Sequence, residues 1–102
     1  MMRSMYSAVS GLRAHQTRMD VIGNNIANVN TVAYKSQSMT FAEAFYQTTQ
    51  VASGANAESG KGGTNAKQIG LGSSVGSISA SMSTEGGSER TDNAFDLKIG
   101  GN

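Results

Sequence analysis

Several residue types that mark common protein classes are missing from this chain. Its 102 residues include no cysteine, no proline and no tryptophan. The absence of cysteine excludes disulfides and thiolate metal sites. Only 37% of the residues are apolar and 6% aromatic, which leaves little material for a core. The composition therefore argues against an ordinary compact domain.

The charge balance and the short hydrophobic runs argue against two further classes. The eight Lys and Arg residues are nearly balanced by seven Asp and Glu residues, so there is no excess of basic charge to indicate nucleic-acid binding. No run approaches the roughly 18 apolar residues of a membrane span, and we predict no membrane insertion. Polar residues such as Arg3 and Ser7 interrupt any apolar segment of a cleaved signal peptide. If the protein leaves the cell, it does so without a conventional signal peptide.

An apolar stripe with helical spacing runs through the first 30 residues. Its members follow at steps of three or four residues, apart from one seven-residue step: Met5, Val9, Leu12, Met19, Ile22, Ile26 and Val29. This period predicts a helix over residues 3–28, about 39 Å long. No downstream segment is suited to cover the stripe. We therefore expect it to be an assembly interface with other helices, as in a coiled coil.

Residues 29–66 predict a connector beside this helix. The segment begins with β-branched and polar residues that favour an extended path. A capping-box pattern, with Thr40 as N-cap and Glu43 three residues later, predicts a short second helix over 41–51. Small, polar and glycine residues over 52–66 predict a flexible loop.

Residues 67–102 change to the two-residue period of β-strands. The apolar residues switch parity near Gly76 and Ser77, which predicts a bulge or a turn there. Alternating residues over 95–99 predict a further half-buried strand. Two or three strands do not make a robust sheet. The fold class is thus α+β, with these strands opening a β-rich domain and the chain being a fragment of a larger protein.

Candidate catalytic and cofactor sites are weak. His15 is the one histidine and has only Asp20 as a nearby carboxylate in sequence, so a polar helix-surface role is favoured. The segment from Gly54 to Gly62 fails the phosphate-loop pattern in its glycine spacing and in its missing Ser or Thr. The Asn cluster at 24–30 suits helix termination and hydrogen bonding between subunits. We expect no enzyme activity, cofactor or metal.

One stretch of the sequence is nonetheless specific enough to indicate a protein family. From Ser10 to Lys35 the chain reads SGLRAHQTRMDVIGNNIANVNTVAYK. It strongly resembles the N-terminal signature of the bacterial flagellar rod and hook proteins. The matching signature positions are Ser10, Gly11, Leu12, Gln16, Asp20, Asn24, Asn25, Asn28, Asn30, Thr31, Tyr34 and Lys35. Ala33 departs from the usual glycine, which makes a positive φ there less expected, and Ala94 stands where proline is common.

Within this family the later segments resemble hook members most, with distal rod members as the runner-up. The resemblance implies that residues 1–28 form the innermost helical layer of a tube, residues 29–66 its connector, and residues 67–102 the start of a β-rich layer. It also implies a homo-oligomer in the flagellar hook or basal body, extracellular after export without cleavage. Implied partners are the flagellar export apparatus, the hook cap, the rod and the hook–filament junction proteins. A secreted helical binding module is the alternative of a different class.

Overall fold

A computed structural model describes residues 1–100, which form one long helix followed by an antiparallel ribbon. Helix α1 spans Met2–Ala27, and the strands are β1 Gln37–Glu43, β2 Tyr46–Gln50, β3 Lys67–Gly70 and β4 Ser73–Ala80. The molecule is elongated, with principal extents of 88, 32 and 12 Å. The predicted α+β class is confirmed. Positions 101 and 102 of the predicted last segment lie outside the described residues.

Helix α1 matches the predicted helix to within one residue at each end. It ends at Ala27, and Asn28 follows with φ −99°, outside the left-handed region that the asparagine cluster suggested. The Asn28 side-chain amide instead donates to the Asn24 carbonyl, 2.9 Å away. In the turn after the helix, Ala33 adopts a left-handed conformation, with φ 61°. The expectation that replacing glycine would avoid a positive φ at Ala33 was wrong.

The four strands make one long two-stranded ribbon. β1 pairs antiparallel with β4, and β2 pairs antiparallel with β3. Two backbone hydrogen bonds join these stretches, from Ala44 N to Gly72 O at 2.9 Å and from Leu71 N to Phe45 O at 3.1 Å. The ribbon thus continues without a change of partner from residue 37 to residue 50 on one side and from residue 80 to residue 67 on the other.

The predicted second helix over 41–51 was wrong, because these residues lie in β1 and β2. Thr40 does not cap a helix. Its Oγ1 lies 2.9 Å from Ser77 Oγ across the ribbon, in a hydrogen bond between side chains 37 positions apart. β-Branched and aromatic residues in this segment suit a pleated surface, and pairing with a distant strand overrode the weak local helix signal.

The predicted bulge is confirmed. Thr40 pairs with Ser77 while Phe41 pairs with Val75, so Gly76 is the extra residue on β4. A Cβ at this glycine would lie 3.1 Å from Thr40 Oγ1 and 3.3 Å from the Phe41 carbonyl. The close approach of the two backbones explains why glycine stands at this position.

Two further sequence predictions differ from the structure. Residues 52–66 continue the ribbon instead of forming a flexible loop: Ser53 and Thr64 exchange two backbone hydrogen bonds of 3.0 Å. The strand predicted over 95–99 is wrong, since the described residues form no strand there and Phe95, Leu97 and Ile99 are at least 90% exposed. Alternation alone does not form a strand without a partner.

The buried core is small and lies between α1 and the ribbon. Its buried apolar residues are Ala14, Val21 and Met39. No helix within residues 1–100 combines the length and apolarity needed to cross a bilayer. The thin core follows from the low apolar content and leaves most large hydrophobic side chains exposed.

Candidate assembly interface

Helix α1 has two opposite faces of different composition. Residues two positions apart are separated by about 160° around a helix. Ala14 and Val21 are buried, with 3% and 8% of their surfaces exposed, while Leu12 is 70% exposed. The most exposed helical members of the stripe therefore lie on the side of α1 that faces away from the ribbon: Met5, Leu12, Met19 and Ile26. Val9 lines a groove beside Ser73 and Val75, and Val29 follows the end of the helix. The stripe residues are all exposed to between 39% and 76%: Met5, Val9, Leu12, Met19, Ile22, Ile26 and Val29.

The opposite face carries small side chains and contacts the ribbon. We call Ser7, Ser10, Gly11 and Ala14 the small-residue face. A Cβ at Gly72 would lie only 2.1 Å from Ser10 Oγ and 3.2 Å from the Ser7 carbonyl oxygen, and Gly72 has φ +118°. The connection between β3 and β4 thus touches the helix backbone at a position where only glycine is unstrained.

One larger side chain packs beside the small-residue face. The Phe41 ring centroid lies 4.9 Å from that of His15, with the planes tilted by 53°. The Arg18 guanidinium carbon lies 5.3 Å from the same ring centroid, within cation–π range. His15 is therefore a helix-surface residue that packs on an aromatic ring of the chain itself.

The C-terminal end of α1 is joined to β1 by side-chain hydrogen bonds. Asn25 Nδ2 donates to the Gln37 carbonyl at 2.7 Å, and Asn25 Oδ1 accepts from the Gln37 N–H at 3.0 Å. The Tyr34 hydroxyl donates to the same Oδ1 at 2.8 Å and accepts from Asn24 Nδ2 at 3.1 Å. These bonds attach the start of β1 to the last turns of the helix.

The remaining signature residues have smaller structural roles. Thr31 Oγ1 donates to Asn28 Oδ1 at 3.0 Å, and Lys35 Nζ donates to the Thr84 carbonyl at 3.0 Å. Leu12, Gln16, Asp20 and Asn30 are exposed. Asn24, Asn25 and Asn28, which suggested contacts between subunits, thus find partners within the chain. Leu12 belongs to both the stripe and the signature.

The sequence reading missed the residues that meet the helix from the ribbon. Gln37, Phe41 and Gly72 were not predicted to meet the helix, although all three contact α1. Gly72 stands in the Gly-Leu-Gly stretch, where two glycines in a strand pattern signal a close backbone approach. Gln37 gave no signal, because its backbone makes the contact.

Titratable groups contribute little to this interface. The Tyr46 hydroxyl donates to the Glu43 carboxylate, and this hydrogen bond raises the pKa of Tyr46 above its ordinary value. Both residues of the pair are exposed on the ribbon. Within residues 1–100, no group of three or more His, Cys, Asp or Glu side chains is arranged to hold a metal ion. The arrangement supports packing through apolar surface.

A family model agrees with the region of α1 and its following turn. The model described as flagella basal body rod protein matches residues 5–35. These residues contain the stripe, the small-residue face and the asparagines that bond to the turn. The match therefore covers the part of the chain in which helix and connector are joined.

Curated relatives align with nearly the whole chain. The flagellar hook protein of Borreliella burgdorferi is 50% identical over 102 residues, which are 100% of this chain and 22% of the relative. The flagellar basal-body rod protein of Bacillus subtilis is 50% identical over 101 residues, 99% of this chain and 37% of the relative. The hook protein of Treponema pallidum is 45% identical over 101 residues, 99% of this chain and 21% of the relative. The chain thus spans well under half the length of these relatives.

Proposed function

Because the chain belongs to the family of bacterial flagellar rod and hook proteins, we propose that it is the N-terminal region of a hook subunit. Copies of the whole protein then self-assemble into a flexible tube that joins rod to filament. This function is structural, and the proposal assigns no enzymatic step to the chain. Hook relatives at 50% and 45% identity support it.

The exposed apolar stripe on α1 is the observation that carries this proposal. The ribbon contacts mainly the opposite face, so every stripe residue keeps at least 39% of its surface exposed. Burying one such side chain stabilises an assembly by about 1.5–3 kcal/mol. A row of them along a 26-residue helix provides enough apolar surface for helix–helix packing between subunits.

The proposed layout assigns residues 1–28 to the innermost layer, where α1 packs against neighbouring helices and a C-terminal helix of the same protein. Residues 29–66 form the connector, and residues 67–102 lead into the next β-rich layer. The ribbon pairs strands on both sides of residue 66, so the connector and the next layer are continuous in structure. The seven stripe residues are the proposed assembly contacts.

The proposed location is the flagellum, at the hook or basal body. The family implies export by the flagellar apparatus without signal cleavage, so that the hook is extracellular. The other proposed partners are the hook cap, the rod and the hook–filament junction proteins. These partners are expected to contact assembled subunits.

A distal rod subunit is the second candidate, because the rod relative is as similar as the first hook relative, at 50% identity. The two are distinguished by transplanting residues 1–102 into a hook protein and into a rod protein of one bacterium. Restored hooks with defective rods support the hook assignment. Restored rods with defective hooks support the rod assignment.

The test of assembly uses Leu12→Asp and Ile26→Asp in the full-length protein. Each places a carboxylate within the packed stripe, where an unpaired charge is strongly unfavourable. We expect neither variant to polymerise, as judged by electron microscopy and sedimentation. Val32→Asp is the matched control, since Val32 is 83% exposed and lies outside the helix.

Normal polymers from both stripe variants would contradict the proposal. A defined 1:1 complex of a monomeric chain with another protein would instead support the secreted binding module. Polymers lost equally in the Val32→Asp control would show that the charge acts through something other than the stripe.

A further inference from the structure

The position of the ribbon determines which face of α1 stays open. The ribbon covers the small-residue face, and the most exposed stripe residues, such as Leu12, lie on the other side. Among residues 1–100, only Ala14, Val21 and Met39 are buried, so apolar burial holds the ribbon weakly. Other contacts must then fix the ribbon on its face of the helix.

Asn25 makes the polar contact best suited to this task. Its amide pairs with both the N–H and the carbonyl of Gln37, at 3.0 and 2.7 Å. This is the pattern with which one strand residue pairs with the residue opposite in an antiparallel ladder. The side chain therefore binds the first residue of β1 as a neighbouring strand would.

A second bond determines the orientation of this amide. The Tyr34 hydroxyl donates to Asn25 Oδ1, so the oxygen accepts two hydrogen bonds and the nitrogen donates one. A carboxylate would keep the two accepted bonds but would set an oxygen against the Gln37 carbonyl. Alanine would lose all three bonds. Asparagine alone among similar shapes supplies both a donor and an acceptor here.

We propose that Asn25 is a positioning residue that holds the ribbon on the small-residue face of α1. It does so by pairing with the Gln37 backbone, and the opposite stripe is thereby left open. The docking of the ribbon on the helix takes place within a single chain and does not depend on the proposed function. Its consequence for which face assembles rests on the proposed function.

The test exploits the absence of native cysteine, which makes introduced cysteine pairs specific reporters. A Cβ at Gly11 would lie 3.8 Å from Ser73 Oγ, so side chains at these two positions are in van der Waals contact. The Gly11→Cys/Ser73→Cys pair thus reports ribbon docking on the helix. The Thr40→Cys/Ser77→Cys pair spans the ribbon, where the hydroxyls are 2.9 Å apart, and reports ribbon formation.

Disulfide formation is measured for both pairs in the 102-residue chain, with Asn25 intact and with Asn25→Ala or Asn25→Asp. We expect docking disulfides to form about tenfold more slowly in both variants, since two or three hydrogen bonds are altered. Disulfides across the ribbon should form at an unchanged rate. Helix content by circular dichroism should also be unchanged. Asn30→Ala, at an exposed asparagine of the same cluster, should leave the docking rate unchanged.

Four results would overturn the proposal. The first is an unchanged docking rate in both Asn25 variants. The second is an equal fall for both cysteine pairs, or a loss of helix, because Asn25 would then act on the ribbon or the helix as such. The third is an equal fall in Asn30→Ala. The last is a docking disulfide that, with Asn25 intact, forms no faster without urea than in urea. None of these readings requires polymer formation, so failure here is distinct from failure of the assembly test.

Discussion

The two faces of helix α1 differ in the size of their side chains, and each size suits a different neighbour. The face toward the ribbon carries serine, glycine and alanine, and the backbone of Gly72 comes within contact distance of Ser7. The face away from it carries methionine, leucine and isoleucine, which remain exposed. Small residues let a backbone approach closely, while large ones provide the area that helix packing needs. Removing a contact should therefore have different consequences on the two faces.

The largest expected effect is at the close approach on the covered face. Gly72→Ala should lower the free energy of unfolding by about 2–4 kcal/mol, through a left-handed alanine and a clash with α1. Urea unfolding followed by circular dichroism measures this change. Gly70→Ala is the control, because its Cβ would meet only the Tyr46 ring at 3.7 Å. Equal destabilisation by the two changes would show that the contact with α1 is unimportant.

A truncation on each face tests whether burial differs as described. Val21→Ala removes two methyl groups from the thin core and should cost about 1–2 kcal/mol of unfolding free energy. Leu12 lies on the open stripe, so Leu12→Ala should change the free energy of unfolding by less than about 0.5 kcal/mol. Thermal unfolding of the 102-residue chain compares the two. A larger cost for Leu12→Ala would mean that the stripe is covered in the monomer.

The smallest expected effect is at the turn that leads from α1 to the ribbon. Ala33 has φ 61°, so Ala33→Gly should raise the free energy of unfolding by about 0.5–1 kcal/mol. The exposed helical Ala8 provides the opposite control: Ala8→Gly should lower it by about 1 kcal/mol. Both are measured by urea unfolding. Destabilisation by Ala33→Gly would contradict the inference that the positive φ of Ala33 strains this turn.

The helix could be predicted from the sequence because its signal is local. Apolar residues at steps of three and four positions identified α1, and the parity switch identified the bulge at Gly76. The covered face gave no comparable signal, since serine and glycine carry no hydrophobic pattern. The stripe was therefore found, while the role of the opposite face as the ribbon's binding surface was not.

The ribbon was harder to predict because its pairing is long-range. Thr40 and Glu43 form a convincing local cap, yet Thr40 bonds to Ser77. At 95–99 the reverse occurred: the residues alternate as a strand should, but no strand among the described residues pairs with them. In both cases the partner, and not the local pattern, determines the structure.

The attachment of the ribbon at both ends of the helix has a mechanical consequence. Gly72 touches α1 near Ser10, and Asn25 holds Gln37 about 22 Å further along the helix axis. A rod fastened at one point pivots, whereas a rod fastened at two separated points resists rotation. A sideways load on the ribbon near Ser53 is therefore carried into the helix as a bending moment, with these two contacts as its supports.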